Sequence, residues 1–135
     1  MPELPEVETI VRELNATLPG RVVRDVEVFR KNALGKVKPA AFRSALAGRR
    51  FGPIGRKGKF LLFQLDPASH MIAHLRMTGK FILSPPLPKP EPHHRVWFHL
   101  QDGQLLIFQD MRCFGTLEVV SHLEDSPSLR KLGQE

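Results

Sequence analysis

Apolar residues near the start of the chain recur at spacings of three and four: Leu4, Val7, Val11, Leu14 and Leu18. That period draws one stripe along a helix over residues 4–18. Pro19-Gly20 stops it. Burying the stripe against a sheet would fix the N-terminus in place. The pattern then changes. Arg21–Arg30 is rich in Val and Phe and reads as a strand. Asn32–Lys38 reads as a loop. Pro39–Ala47 reads as a short helix, with Pro39 near its start, Gly48 just after it, and Phe42, Ala45 and Leu46 facing inward.

Phe51–Leu65 has the pattern of a hairpin. Its middle, Gly55-Arg56-Lys57-Gly58-Lys59, reads as a basic, flexible turn, and Phe60–Leu65 as the strand that follows. Met71–Leu75, Phe81–Leu83 and Thr116–Val120 are further short strands. Arg95–Leu100 and Leu105–Gln109 flank the turn Gln101-Asp102-Gly103. Ser84–Pro92 holds five prolines in nine residues, which predicts an irregular surface connection. Ser121–Glu135 is polar, with room for a short helical turn. About eight short strands and two helices predict a mainly β fold with some α: a two-layer β-sandwich flanked by an N-terminal helix and a second short helix.

The length, 135 residues, suits one domain with a real core. Hydrophobic residues at 41% and charged residues at 25% fit a soluble globular domain. No apolar run reaches membrane-span length, and the first residues lack the basic and apolar regions of a signal peptide. A single cysteine supports neither a disulfide framework nor a thiolate metal site, which fits a cytosolic setting. The charge adds direction. Twenty Lys and Arg against fourteen Asp and Glu give a formal +6, favouring an anionic partner, most commonly nucleic acid.

Candidate chemistry begins at the N-terminus. With Met1 removed, Pro2 would present a secondary amine. An α-amino group has a pKa of about 8, against about 10.4 for lysine, so more of it is neutral and nucleophilic near pH 7. Glu3 and Glu6 place two carboxylates beside it. The same residues also make an ordinary helix start, since Pro5 suits the first turn and glutamates favour the positive end of the dipole. Arg56, Lys57 and Lys59 could reach a phosphate backbone or simply be a solvated turn. Met77, Arg112 and Phe114 each interrupt the strand pattern. Met77 and Phe114 are either core or wedges between base steps, and Arg112 could hydrogen-bond a base whose partner has been flipped out. His74 could meet a phosphate or be a satisfied strand histidine. His93 and His94 are adjacent and share no face, so they do not form a metal pair.

Four segments together resemble the bacterial formamidopyrimidine-DNA glycosylase family and its endonuclease VIII-like relatives. They are MPELPEVET at Met1–Thr9, GRKGKFLL at Gly55–Leu62, HLRMTG at His74–Gly79, and DMRCFG at Asp110–Gly115. The PELPE form favours the branch that acts on oxidised purines. The resemblance implies a DNA glycosylase and abasic-site lyase of base excision repair. Such an enzyme removes 8-oxoguanine and formamidopyrimidines and cuts the strand by β- and δ-elimination. Pro2 would be the nucleophile at C1′, Glu3 the acid at the sugar oxygen, and Glu6 a supporting acid. Lys59 and His74 would contact phosphate near the lesion. Arg56, Lys57 and His93 would lie along the DNA. Met77, Arg112 and Phe114 would fill the space left by the flipped nucleotide.

The implied partner is double-stranded DNA with a damaged base flipped out, bound by a monomer in the cytoplasm at the nucleoid. This sequence departs from the family's D-P-R-R-F-G at Met111 and Cys113, and from its H-D-H-V at His94 and Arg95. The family also carries a second domain, a helix–two-turn–helix with a four-cysteine zinc finger. The expectation is therefore that residues 1–135 are the N-terminal catalytic domain, with no metal or other cofactor in this segment and zinc in the other domain. By that reading the domain alone would be weak or inactive. The alternative is a non-catalytic DNA-binding or interaction domain that keeps the fold.

Overall fold

The stripe of the first helix is buried as its spacing requires. In a computed structural model that describes residues 4–133, Val7, Leu14 and Leu18 are buried and Ile10 and Val11 pack beside them. They belong to α1 (Leu4–Thr17) and the residue that follows it. The chain continues as β1 (Val23–Val28), a 3-10 turn (Lys31–Leu34), α2 (Pro39–Leu46), β2 (Arg50–Lys57), β3 (Phe60–Asp66) and β4 (Ser69–His74). Then come β5 (Gly79–Ser84), β6 (His94–Leu100), β7 (Leu105–Asp110), β8 (Thr116–Val120), a second 3-10 turn (Leu123–Asp125) and α3 (Pro127–Gly133). The strands form two antiparallel four-stranded sheets, ordered β1-β6-β7-β5 and β2-β3-β4-β8. This is the predicted helix-flanked two-layer sandwich.

Strand alternation builds the core. Phe51, Leu61, Phe63, Leu65 and Met71 of one sheet share a cluster with Val26, Val96, Phe98, Leu106 and Phe108 of the other. Phe81 joins them, its ring 5.0 Å from Phe63 and 5.1 Å from Phe108. Phe42 and Leu46 of α2 close the β1 side. Burying a side chain of this size contributes about 1.5–3 kcal/mol, so these aromatics dominate the sandwich.

Helix α1 is fastened to β2 by more than its stripe. The Asn15 side-chain amide donates to the Ile54 carbonyl at 2.6 Å and accepts from the Ile54 N–H at 2.8 Å. β2 is an edge strand, and its register with β3 slips between Phe51 and Ile54, across Gly52-Pro53. Proline is tolerated there because an edge strand can spare a ladder donor. Asn15 thus supplies the exposed edge of β2 with the pair of bonds a neighbouring strand would have made.

Three local readings are corrected, and a fourth feature had no counterpart in the sequence reading. Asn32–Lys38 is not a plain loop: the turn at Lys31–Leu34 buries Ala33 and Leu34. The basic turn is smaller than Gly55–Lys59. Gly55, Arg56 and Lys57 continue β2, and only Gly58-Lys59 turn between the paired residues Lys57 and Phe60. Gly58 has φ 59°, as the first position of a type II′ hairpin turn requires. The polar tail contains the helix α3, which buries Leu129. Finally, β6 and β7 are buried on both faces. Trp97, Leu105 and Ile107 form a second cluster on the outer side, covered by Phe29 and by Leu87 from the proline-rich segment.

Candidate functional site

Two loops carry the chain between the sheets at the same end of the sandwich. Residues 75–78 run from β4 to β5, and residues 111–115 run from β7 to β8. Register sets them side by side, because Gly79 pairs with Asp110 and His74 pairs with Thr116. Each contains a non-glycine residue in the left-handed region, Arg76 at φ 55° and Cys113 at φ 59°. That conformation is uncommon outside glycine and concentrates at functional sites.

The result is an exposed patch. Met77 is 56% exposed, Phe114 61% and Met111 68%, and Arg112 is also exposed. The Arg112 Nη1 lies 4.0 Å from the Met77 sulfur, so the two loops touch through these side chains. Neither Met77 nor Phe114 is core, which was the competing reading of both. Met111 was noted in the sequence only as a departure from the family motif, yet it is the most exposed of the three apolar side chains.

Beside the patch is a cavity of about 840 Å³. Its wall includes Leu4 at the start of α1, Lys59 and Phe60 at the hairpin, His74 and Arg76, Thr116, and Lys131 of α3. Lys36 lines it as well. Among its described lining residues, four cations face one carboxylate, Glu118, whose two oxygens already accept from Ser126 and Ser128. The cavity is therefore biased toward an anion. A hollow of about 560 Å³ beside α2 holds Arg24, Asp25 and Arg43. There Asp25 and Arg43 pair in a two-pronged ion pair, and none of the predicted site residues is present.

His74 is buried, and its Nδ1 accepts the Arg76 N–H at 3.0 Å. Burial lowers its pKa, and the positive charges of Arg76 and Lys59 push the same way. The ring is thus neutral near pH 7, with its proton on Nε2 available as a donor. Phe60 packs edge-on against it, 4.8 Å between ring centres.

The other candidates are more scattered. Pro2 and Glu3 lie outside the described residues. Glu6 is exposed in the first turn of α1 and does not line the cavity. Lys57 is exposed on β2. Arg56 bonds Glu8 of α1 at 2.5 Å and the Gly58 carbonyl at 3.3 Å, which commits it to the helix–hairpin junction. His93 is exposed, and its carbonyl accepts the Asp110 N–H at 2.9 Å, at the root of the second loop. His94 points the other way. It is buried, and its Nδ1 accepts from the Trp97 indole at 3.0 Å and the Glu91 N–H at 3.2 Å. Burial lowers its pKa, opposed by Glu91. Among the described residues no three His, Cys, Asp or Glu side chains are grouped to hold a metal ion.

Sequence reasoning passed over Asp110. It is 1% exposed and accepts hydrogen bonds from both loops. The available signal was an acid two residues before the Arg112 N–H it accepts, an Asx-type turn directly after an apolar strand.

The helix-led sandwich thus carries at one end a cation-lined cavity beside an exposed patch of apolar side chains and arginine. Comparison with known proteins gives the family. Residues 1–117 match the model described as the formamidopyrimidine-DNA glycosylase N-terminal domain, and the chain belongs to that family. It is 38% identical to the formamidopyrimidine-DNA glycosylase of Desulforamulus reducens over 138 aligned residues, covering 100% of this chain and 50% of that protein. The Bacillus subtilis relative is 40% identical with the same coverage. A crystal structure of Lactococcus lactis Fpg with DNA containing an abasic site superposes with a TM-score of 0.87 at 32% identity, covering 96% of this chain and 48% of that one. The Lactococcus lactis complex with DNA containing FAPY-dG gives 0.86 at the same identity and coverage. The chain spans about half the length of the curated relatives it matches.

Proposed function

We propose that this chain is the catalytic half of a DNA glycosylase and abasic-site lyase that removes oxidised purines, 8-oxoguanine and formamidopyrimidines, from duplex DNA. The observation that carries the proposal is the joining of the cation-lined cavity at the start of α1 to the exposed Met77–Arg112–Phe114 patch through Arg76-Met77. Family membership and the DNA complexes of the structural relatives support it.

The chemistry runs as follows. The neutral Pro2 amine attacks C1′ of a flipped nucleotide, the base leaves with the electron pair of the glycosidic bond, and the N–H proton of the new ammonium passes to the departing base. Glu3 protonates the sugar ring oxygen, so the ring opens and the amine carries an iminium. That cation acidifies the C2′–H, and loss of this proton expels the 3′-phosphate, then the 5′-phosphate in a second elimination. Covalent connectivity supports the assignment: Glu3 is bonded to Leu4, which lines the cavity. Lys59 and Arg76 attract the flanking phosphates, and neutral His74 donates a hydrogen bond there. Glu6 supports the acid at the helix start. Arg56, Lys57 and His93 extend the contact along the duplex. Met77, Arg112 and Phe114 fill the gap in the stack and offset an unstacking cost of a few kcal/mol. The zinc that the family resemblance implies would be held by a second domain, and no step above passes through it. A monomer at the nucleoid completes the proposal.

The test is borohydride trapping on duplex containing 8-oxoguanine, with Met1 removal verified by intact mass. It uses this chain and a fusion of it to the second half of the Bacillus subtilis relative. The fusion should form a covalent adduct whose yield falls when Pro2→Gly exchanges the secondary amine for a primary one, and the chain alone should form less. An unchanged yield after Pro2→Gly refutes the nucleophile. Salt-sensitive binding without any adduct from either protein would instead make this a non-catalytic DNA-binding domain.

A further inference from the structure

Nothing in the wedge patch explains by itself why its side chains stay together, since each is exposed. The explanation lies beneath it. Asp110 ends β7 and is 1% exposed. Its Oδ1 accepts from the Thr78 hydroxyl of the first loop and from the Arg112 N–H of the second, the latter at 3.2 Å. Its Oδ2 accepts the Gly115 N–H at 2.6 Å. The Thr78 hydroxyl oxygen in turn accepts the Arg112 N–H at 3.2 Å.

The backbone of the same segment is gripped from the other side by Arg95, only 5% exposed. Its Nε donates to the Asp110 carbonyl at 2.7 Å, Nη2 to the Met111 carbonyl at 3.4 Å, and Nη1 to the Pro92 carbonyl at 3.2 Å. Asn32 adds a bond to the Cys113 carbonyl at 3.1 Å. Gly115 leaves no slack, because a Cβ there would sit 2.8 Å from Phe108 Cζ and 2.9 Å from Asp110 Oδ2.

We propose that Asp110, braced by Arg95, is a positioning residue that locks the 75–78 and 111–115 loops into one rigid wedge, and that this lock sets recognition of a gapped base stack. The proposal rests on the DNA reading above. Asp110 touches no substrate. It acts by fixing Arg112 and Phe114 relative to Met77. A carboxylate suits the task because it accepts only: three donors converge on two oxygens. Asparagine would keep one acceptor and turn an NH₂ toward another donor, leaving a buried clash.

The experiment compares binding to two duplexes that differ only in one nucleotide, a tetrahydrofuran abasic analogue opposite cytosine or an intact pair. It uses this chain and the fusion described above. The wild type should prefer the gapped duplex. Asp110→Asn should lower that preference about tenfold, equivalent to ~1.4 kcal/mol, while binding to the intact duplex, which depends on phosphate contacts, changes less than about twofold. Thr78→Val is the second variant. It deletes only the hydroxyl bridge and should lower the preference about threefold while binding to the intact duplex stays within about twofold, a split that general destabilisation does not give. Full preference in both variants overturns the lock. No preference in either wild-type protein overturns the DNA reading itself, and the lock with it.

Discussion

Replacing Asn15 by alanine tests how firmly the helix that begins the cavity is held to the sheet. The side chain makes two bonds to one residue, 2.6 Å to the Ile54 carbonyl and 2.8 Å from its N–H. Each is worth a net of about 1 kcal/mol, so their loss costs about 2 kcal/mol. Alanine is the better helix former and returns roughly 0.5 kcal/mol. The expected net loss is about 1.5 kcal/mol, or a fall in melting temperature of about 6 °C for a domain of this size. Asn15→Asp separates the two bonds. The carboxylate still accepts the N–H but faces the Ile54 carbonyl with a second acceptor, so at pH 7 it should be no more stable than the alanine variant. Near pH 3, below the usual carboxyl pKa of about 3.9, the protonated acid can donate again, and the aspartate variant should gain on the alanine variant at matched pH. Thermal melts followed by far-UV circular dichroism provide the assay. A loss below about 0.5 kcal/mol for Asn15→Ala would refute the claim that this amide closes the edge of β2, and leave only the apolar stripe and the Glu8–Arg56 pair to hold the helix.

Two further outcomes follow from the packing and the histidines. Gly115→Ala should destabilise by about 1–3 kcal/mol in urea unfolding, because the new methyl meets Phe108, Asp110 and, at 3.1 Å, the His74 carbonyl oxygen; a neutral result would mean that the loop has room to move. Stability should also fall on acidification. His74 and His94 have lowered pKa values in the fold, so the unfolded chain takes up protons first, near pH 6.5; the stabilisation is complete above that and is lost as pH falls through the folded values. Trp97 is the sole tryptophan and donates to the His94 Nδ1, so its emission should change over the same range, and a flat response from pH 7.5 to about pH 5 would contradict the assignment.

What was legible in the sequence is what periodicity encodes. The stripe of Val7, Leu14 and Leu18 located α1, and Pro39 with Gly48 bracketed α2. The strands appeared because Val, Ile and Phe cluster between turn residues. Two kinds of feature escaped. Glycine misled at the hairpin: Gly55 sits inside β2 and only Gly58 needs a positive φ, but the letters are alike. Outer-face burial was hidden as well, because Trp97 and Ile107 interrupt a simple inside–outside alternation, and only the covering Phe29 and Leu87 explain them. At the site, the exposed residues of the two loops were readable as breaks in the strand pattern. The buried acid beneath them was not, since Asp110 at the end of an apolar strand looks like any solvated turn residue until its three donors are seen.

The two crossings between the sheets at this end are short, four residues at 75–78 and five at 111–115. Each is anchored in a different layer at either end, so neither has spare length to yield under load. A body pressing on Met77 or Phe114 therefore pushes on both halves of the sandwich at once, and the force is met by the stiffness of the whole domain rather than by a pliant tip. An exposed apolar side chain mounted this way can prise apart something as stiff as itself.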